Sequence, residues 1–271
     1  MQHGQARTAH PQALRGRRDL DGESRQHADG VTQAPTDRVP NFEHLYPLAR
    51  KGGYGVAFNP CTIVYDKTAA SAPITSWKDM WNPEWKGRIA WPDGLGAEGI
   101  SALMMTAKAW DIPMEDFDAI VEKVKELKPF AGIQSSQAQL FDMLDQNIAD
   151  LSVEFASFTR MYAESRNPNC EIASPVEGQA VTMNVACITE GTKNQVLAEE
   201  WINLHLEPET MLAYAKEIYY SPTVDNVEIP AELQGKVISG GDVSSLVDFD
   251  WDYINAHRAE WQAKFDREIA G

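Results

Sequence analysis

Cys61, Asp93, Glu98 and His44 are the side chains with which this sequence could run a reaction. Cys61 is the strongest nucleophile among them, but a cysteine attacks as its thiolate and needs a base or a positive charge beside it. His3, His10 and His27 lie in a compositionally odd first segment, and His205 and His257 fall at helical spacing, which leaves His44 as the candidate base. Asp93 precedes a glycine-rich turn, Gly94-Leu-Gly-Ala-Glu-Gly99, that contains Glu98 and feeds a helix. Such a turn can hold an anion on free N–H groups. It matches neither the G-x-x-x-x-G-K-[ST] phosphate loop nor the G-x-G-x-x-G dinucleotide turn. Glu98 near a helix start also suits the helix dipole, with no ligand involved. Cys61, Cys170 and Cys187 show no C-x-x-C spacing, so neither a zinc site nor a dithiol redox motif is indicated. Cys170 and Cys187 flank an expected hairpin centred near Gly178 and Gln179. In symmetric register they would face each other, and a disulfide and two buried thiols are equal readings.

The elements that must position these groups follow an α/β order. Val56–Tyr65 reads as a strand interrupted at Asn59-Pro60. Thr75–Asp93 carries Trp77, Trp81, Trp85 and Trp91. There Ser76 is placed to cap a short helix with Asp79 at its third position, and the four-residue spacing puts Trp77 and Trp81 on one face. Arg88–Trp91 then forms a short strand. Helices are expected over Ile100–Trp110, from Asp111 to Leu127, from a Ser135 or Ser136 cap to Gln146, and over Ala156–Ser165. Further helices follow an Asn194 cap, open at Pro208, and run from Trp251 to Ile269. Ala149–Phe155 reads as a strand, Cys170–Ser174 as an edge strand and Ala180–Thr189 as a further strand.

Composition narrows the function. The chain has 271 residues, 43% of them hydrophobic, with a net charge of −16 and a sequence pI near 4.7. That charge disfavours nucleic acid and anionic membranes as partners. There is no apolar run long enough to span a bilayer, and the first residues lack a secretory pattern. Residues 1–40 hold no aromatic residue and no lysine. They read as disordered, or as a segment foreign to the rest, such as a misplaced start or a shifted frame.

Several segments in order resemble one family, the polyamine and related solute-binding proteins of ABC transporters, which are type II periplasmic binding proteins. They are G-V-A-F-N-P-C-T-I-V-Y-D-K, S-W-K-D-M-W-N-P-E-W-K-G-R-I-A, M-L-D-Q-N-I-A-D-L-S-V-E-F, S-P-V-E-G, W-I-N-L-H-L-E-P-E-T and D-W-D-Y-I-N-A-H-R-A-E-W-Q-A-K-F. The resemblance covers residues 39–271. It implies a bilobal α/β fold of the type II class with the first lobe incomplete, since most of that lobe precedes the G-V-A-F strand in the family. On this reading residues 1–40 are atypical and 41–62 hold a remnant of the first lobe and the crossing strand. Residues 63–182 form the second lobe, 183–234 return to the first, and 235–271 pack as C-terminal helix on the second.

The implied function is capture of a small polar solute, polyamine-like or another small organic molecule, by a periplasmic monomer that delivers it to ABC permease subunits. No cofactor, metal or catalytic residue is implied. The implied contacts are Phe58, Asn59 and Cys61 on the crossing strand, Asp93 and Glu98 where polyamine binders place carboxylates, Ser135 on a loop, and Phe155 at a strand end. Asn184 stands in Thr182-Met-Asn184, where polyamine binders carry W-x-D; the tryptophan and aspartate are absent, and Asn184 suits a neutral or zwitterionic group. Tyr220 completes the set. Adjacent tyrosines hold ferric iron in related proteins, but in another segment, so Tyr219-Tyr220 reads as packing or cleft lining. Two other readings stand beside this one: an enzyme on the same scaffold, and a truncated paralogue without function.

Overall fold

A computed structural model describes residues 37–271 and, before them, the backbone of strands β1 (Arg17–Arg18), β2 (Ser24–Arg25) and β3 (Val31–Thr32). The expectation for residues 1–40 falls almost wholly outside these described residues. Then come β4 (Tyr54–Phe58), β5 (Cys61–Asp66), β6 (Ala90–Pro92), β7 (Gly132–Gln134), β8 (Leu151–Phe155) and β9 (Cys170–Ile172). The remaining strands are β10 (Gln179–Ala180), β11 (Met183–Ala186), β12 (Ile188–Thr189) and β13 (Leu246–Val247). Helices are α1 (Ala97–Ala109), α2 (Phe117–Lys125), α3 (Gln137–Asp145), α4 (Ala156–Ser165), α5 (Gln195–His205), α6 (Pro208–Ile218) and α7 (Trp251–Phe265). The chain divides into two compact units. The first holds the described chain through Phe58, Met183–Ala215 and Ser221–Ser239; the second holds Asn59–Thr182, Lys216–Tyr220 and Gly240–Gly271.

In the second unit β5 is the central strand. It pairs antiparallel with β8 on one side and with β9 and β10 on the other. β13 adds to β10 in parallel, and β6 pairs in parallel with β7 and touches β8 through an Ile89–Leu151 bridge. All these strands except β5 therefore point the same way. The alternation along β5 and β8 divides the core. Cys61, Ile63 and Tyr65, opposite Phe155, Val153 and Leu151, face the cluster that includes α1, α2 and α7. Val64 lies on the other face with Leu140, Met143 and Leu144 of α3.

Two distant segments lock this unit. Ser76 Oγ donates to Glu177 Oε1 at 2.5 Å, the Trp77 backbone N–H donates to Glu177 Oε2 at 3.1 Å, and the Trp77 indole donates to the Gly178 carbonyl at 2.9 Å. Gly178 sits at φ +94°, and a Cβ there would stand 2.3 Å from the Ser245 carbonyl oxygen, so the glycine is required. The Ser76–Asp79 capping box forms as expected. The segment it caps, Trp77–Trp81, is a 3-10 helix, and this corrects the expected shared face of Trp77 and Trp81. With three residues per turn, Trp77 aligns with Met80, and those two are the buried ones. Trp81 turns instead to Lys123, whose carbonyl accepts from the indole at 3.2 Å, and to the Trp110 ring.

Other expectations are corrected by long-range pairing. No hairpin joins Cys170 to Cys187, because β9 and β10 both add to the same edge of β5. Cys170 falls in the second unit and Cys187 in the first, with no disulfide between them. The expected strand Ala180–Thr189 is three pieces, β10, β11 and β12. Arg88 precedes β6 and forms a two-pronged ion pair with Asp150 at 2.6 Å in each arm. Ser136, not Ser135, caps α3, and Asn194 gives α5 no side-chain cap.

The first unit pairs β4 antiparallel with β11, with an irregularity at Asn184–Val185, and β12 with β3. Tyr54 and Phe58 are fully buried, with Tyr54 set edge-on to Phe42 and Phe58 beside Tyr46.

Candidate functional site

The strand directions bring functional groups to one edge of the second unit. The carboxyl ends of β6, β7 and β8 lie there beside the start of β5, and α1, α3 and α4 begin from it. Helix starts supply free N–H groups and a partial positive charge. An edge outside the carboxyl ends of parallel strands is where α/β sheets hold ligands.

The turn into α1 is tightly built. Gly99 would place a Cβ 2.1 Å from the Gly94 carbonyl oxygen, so the loop closes on itself only because no side chain is present. Gly99→Ala is expected to destabilise the second unit by about 2–3 kcal/mol, through the forced shift of that backbone. Urea unfolding followed by tryptophan fluorescence measures it; an unchanged midpoint would mean the turn yields at no cost.

Glu154 is the centre of this edge. It has no exposed surface. Its Oε1 accepts from the Phe155 backbone N–H at 2.7 Å and from Gln137 Nε2 at 3.3 Å. Its Oε2 is buried with no hydrogen-bond partner. Burial pushes its carboxyl up to about 7; the Phe155 N–H pulls it back, the Glu98 charge adds to the rise, and Gln137 opposes it. Glu98 is half-buried in the first turn of α1. Cys61 is fully buried beside them, and burial, then the charges of Glu154 and Glu98, raise its thiol well above the usual range, against a pull from the Ser101 hydroxyl. Asn59 Oδ1 accepts from the Ser157 N–H of α4 at 3.3 Å, while the Ser157 hydroxyl is buried without a partner. The Thr182 hydroxyl closes on the Asn59 carbonyl.

An aromatic row continues from this edge. Phe155 meets Phe158 edge-on at 5.8 Å, and Phe158 meets Tyr220 edge-on at 6.4 Å. Tyr219 takes a different course, with its hydroxyl on Glu164 and its ring 5.9 Å from the Arg160 guanidinium. The two tyrosines thus face different neighbours, and among the described residues there is no acidic, histidine or cysteine cluster that could hold a metal ion.

Of the expected contacts, Asn59, Cys61, Glu98 and Phe155 are drawn together here. Asp93 and Ser135 lie exposed on the same edge, Ser135 donating to Gln139 Oε1 at 2.9 and 3.0 Å through its N–H and hydroxyl. Tyr220 joins through Phe158. Phe58 and Asn184 belong to the first unit, Phe58 inside its core and Asn184 exposed on β11. Sequence reasoning passed over Glu154, Gln137 and Ser157. The signal for Glu154 was a carboxylate inside the apolar strand L-S-V-E-F. The first unit also has a groove of about 320 Å³ along α5, lined by Leu197, Trp201 and neighbours and carrying no charged group.

A two-unit α/β chain with buried polar groups at the edge where helices begin is built to hold a small solute. Residues 23–257 match the family of bacterial extracellular solute-binding proteins. The chain belongs to that family, and solute binding is its function. No curated protein matches it. Among solved structures it is similar to an ABC transporter protein from Clostridium perfringens, at 23% identity and a TM-score of 0.77 over 88% of this chain and 78% of that one. It is also similar to an ABC transporter substrate-binding protein from Bradyrhizobium japonicum, at 17% identity and a TM-score of 0.74 over 89% and 77%. The spermidine/putrescine substrate-binding protein PotD from Streptococcus pneumoniae aligns at 19% identity and a TM-score of 0.71 over 89% and 79%. These likenesses carry the fold. No helix among the described residues is long and apolar enough to cross a membrane.

Proposed function

We propose that this chain captures a small organic solute bearing a protonated amine and delivers it, as a periplasmic monomer, to the permease of an ABC importer. The observation that carries this reading is the presence at one edge of the second unit of two carboxylates, Glu98 and the buried Glu154, whose charges act on each other, together with the row Phe155–Phe158–Tyr220. Carboxylates match an ammonium group, and aromatic faces match both the cation and an attached methylene chain. Asp93 adds exposed negative charge, and Asn59 and Ser135 add polar groups to the same edge. The likeness to a protein named for spermidine and putrescine supports the same solute class. A thermal-shift screen against diamines, amino acids, phosphonates and metal ions tests it. Stabilisation by amines is expected, and stabilisation by none of the panel would overturn the reading.

The enzyme alternative has little support. Cys61 is buried with its thiol held protonated, and His44 is engaged with Asp225 at 3.0 Å in the other unit. Iodoacetamide labelling of the native chain at pH 8 is expected to spare Cys61, read by peptide mass mapping; rapid modification there would revive a nucleophile.

A further inference from the structure

Glu154 lies buried at this edge. We propose that it is a specificity-determining residue that couples solute capture to proton release, an ammonium N–H of the solute replacing the proton on Oε2. The inference rests on the amine reading above and concerns the same edge.

The geometry supplies the argument. Oε1 already has its donors, Phe155 N–H and Gln137 Nε2, whereas Oε2 is buried and unpartnered. A buried carboxylate oxygen without a donor is costly when charged, and a neutral acid is the cheaper resident of such a place. The groups in contact with Glu154 are the Gln137 amide from α3 and the Phe155 N–H at the start of α4, with Thr62 opposite it on β5; the charge of Glu98 from α1 acts on it through space, and its own charge acts on the Cys61 thiol. The charge acting on it is thus a second carboxylate, which favours the protonated form further. A solute ammonium reverses both effects, because it donates to Oε2 and offsets the Glu98 repulsion. The Oε2–H bond breaks, the proton leaves to bulk water, and an N–H···O⁻ hydrogen bond forms in its place. Gln137, half-buried at the first position of α3, donates to Oε1 at 3.3 Å and is the side chain an entering solute would have to displace or join.

The test is calorimetric titration of the full chain with putrescine at pH 6 and pH 8, in two buffers of different ionisation enthalpy. Putrescine stays protonated over that range, whereas a carboxyl titrating at about 7 is about one-tenth ionised at pH 6 and about nine-tenths at pH 8. Affinity is expected to rise about tenfold from pH 6 to pH 8, with close to one proton released per solute at pH 6. Glu154→Gln should bind more weakly at pH 8 and lose the pH dependence, while keeping the folded circular-dichroism spectrum. Should that variant fail to fold, the wild-type buffer dependence still decides. Putrescine binding with no pH dependence and no proton release, or the same dependence in Glu154→Gln, overturns this inference and leaves the solute-binding reading standing. A panel in which only anionic solutes bind overturns the amine assignment, and no binding by any solute overturns both.

Discussion

Glu154→Gln is expected to make the solute-free chain about 2 kcal/mol more stable at pH 8, and to flatten its stability between pH 5 and pH 8. Burial pushes the native carboxyl up to about 7 from its ordinary 4.5, so the folded state holds the proton more tightly than the unfolded one. Stability is then fully present below about pH 4.5 and is lost as pH rises through 7, since ionisation in the fold is disfavoured. At about 1.4 kcal/mol per pH unit the full loss is about 3.5 kcal/mol, of which about 2.5 kcal/mol falls between pH 5 and pH 8. Glutamine escapes this loss and can still accept from Phe155 and Gln137. It buries an NH2 group without a partner, which costs about 1 kcal/mol. Urea unfolding of both proteins at the two pH values measures the difference. Tryptophan fluorescence reports the relevant unit, because every tryptophan except Trp201 lies in the second one. A wild-type curve no steeper with pH than the variant's would mean that Glu154 titrates as an ordinary carboxyl.

The second large effect belongs to Trp77. Its side chain is fully buried, and its indole donates to Gly178 at 2.9 Å. Trp77→Ala removes the packing, leaves a cavity in the core and orphans the Gly178 carbonyl, for an expected loss of about 4 kcal/mol. Trp77→Phe keeps part of the ring volume and should lose about 2 kcal/mol. Trp81, half-buried and turned toward Lys123, is the comparison: Trp81→Phe should cost about 1 kcal/mol. Equal losses at Trp77 and Trp81 would contradict the 3-10 geometry that separates them.

These two residues show what the sequence could and could not disclose. The S-W-K-D-M-W and S-P-V-E-G segments were legible because each is a contact surface for the other, joined by Ser76, Trp77, Glu177 and Gly178. The Ser76 cap was legible because capping is local. The face of Trp81 was not, since four-residue spacing presumes an α-helix and the capped segment is a 3-10 turn. The hairpin between Cys170 and Cys187 failed for a different reason. β9 and β10 are both taken up by β5, more than a hundred residues earlier in the chain, and no local pattern announces that competition. Glu154 was hidden in the same way. Its strand was readable, but its burial comes from α3 and its electrostatic neighbour from α1, and a carboxylate becomes unusual only once those are in place. The edge as a whole was partly visible: Asn59, Cys61, Glu98 and Phe155 converge, whereas Phe58 and Asn184 belong to the other unit.

The central position of β5 has a consequence for how the chain acquires its shape. Cys-Thr-Ile-Val-Tyr is made early, yet its first strand partner, Leu151–Phe155, comes far later, and the strand beyond its other neighbour closes only at Leu246–Val247. Pairings of such long sequence separation are slow to form, because loop closure costs entropy before any contact repays it. Until then an uncharged, β-prone segment has both edges open, the composition and state that invite intermolecular strand addition. Refolding yield should therefore fall with protein concentration and recover when Thr62 is replaced by lysine only at the expense of the native core, where Thr62 is buried and donates to Ala173 at 3.1 Å. The strand that organises the finished sheet is the one most open to wrong partners in the unfinished chain.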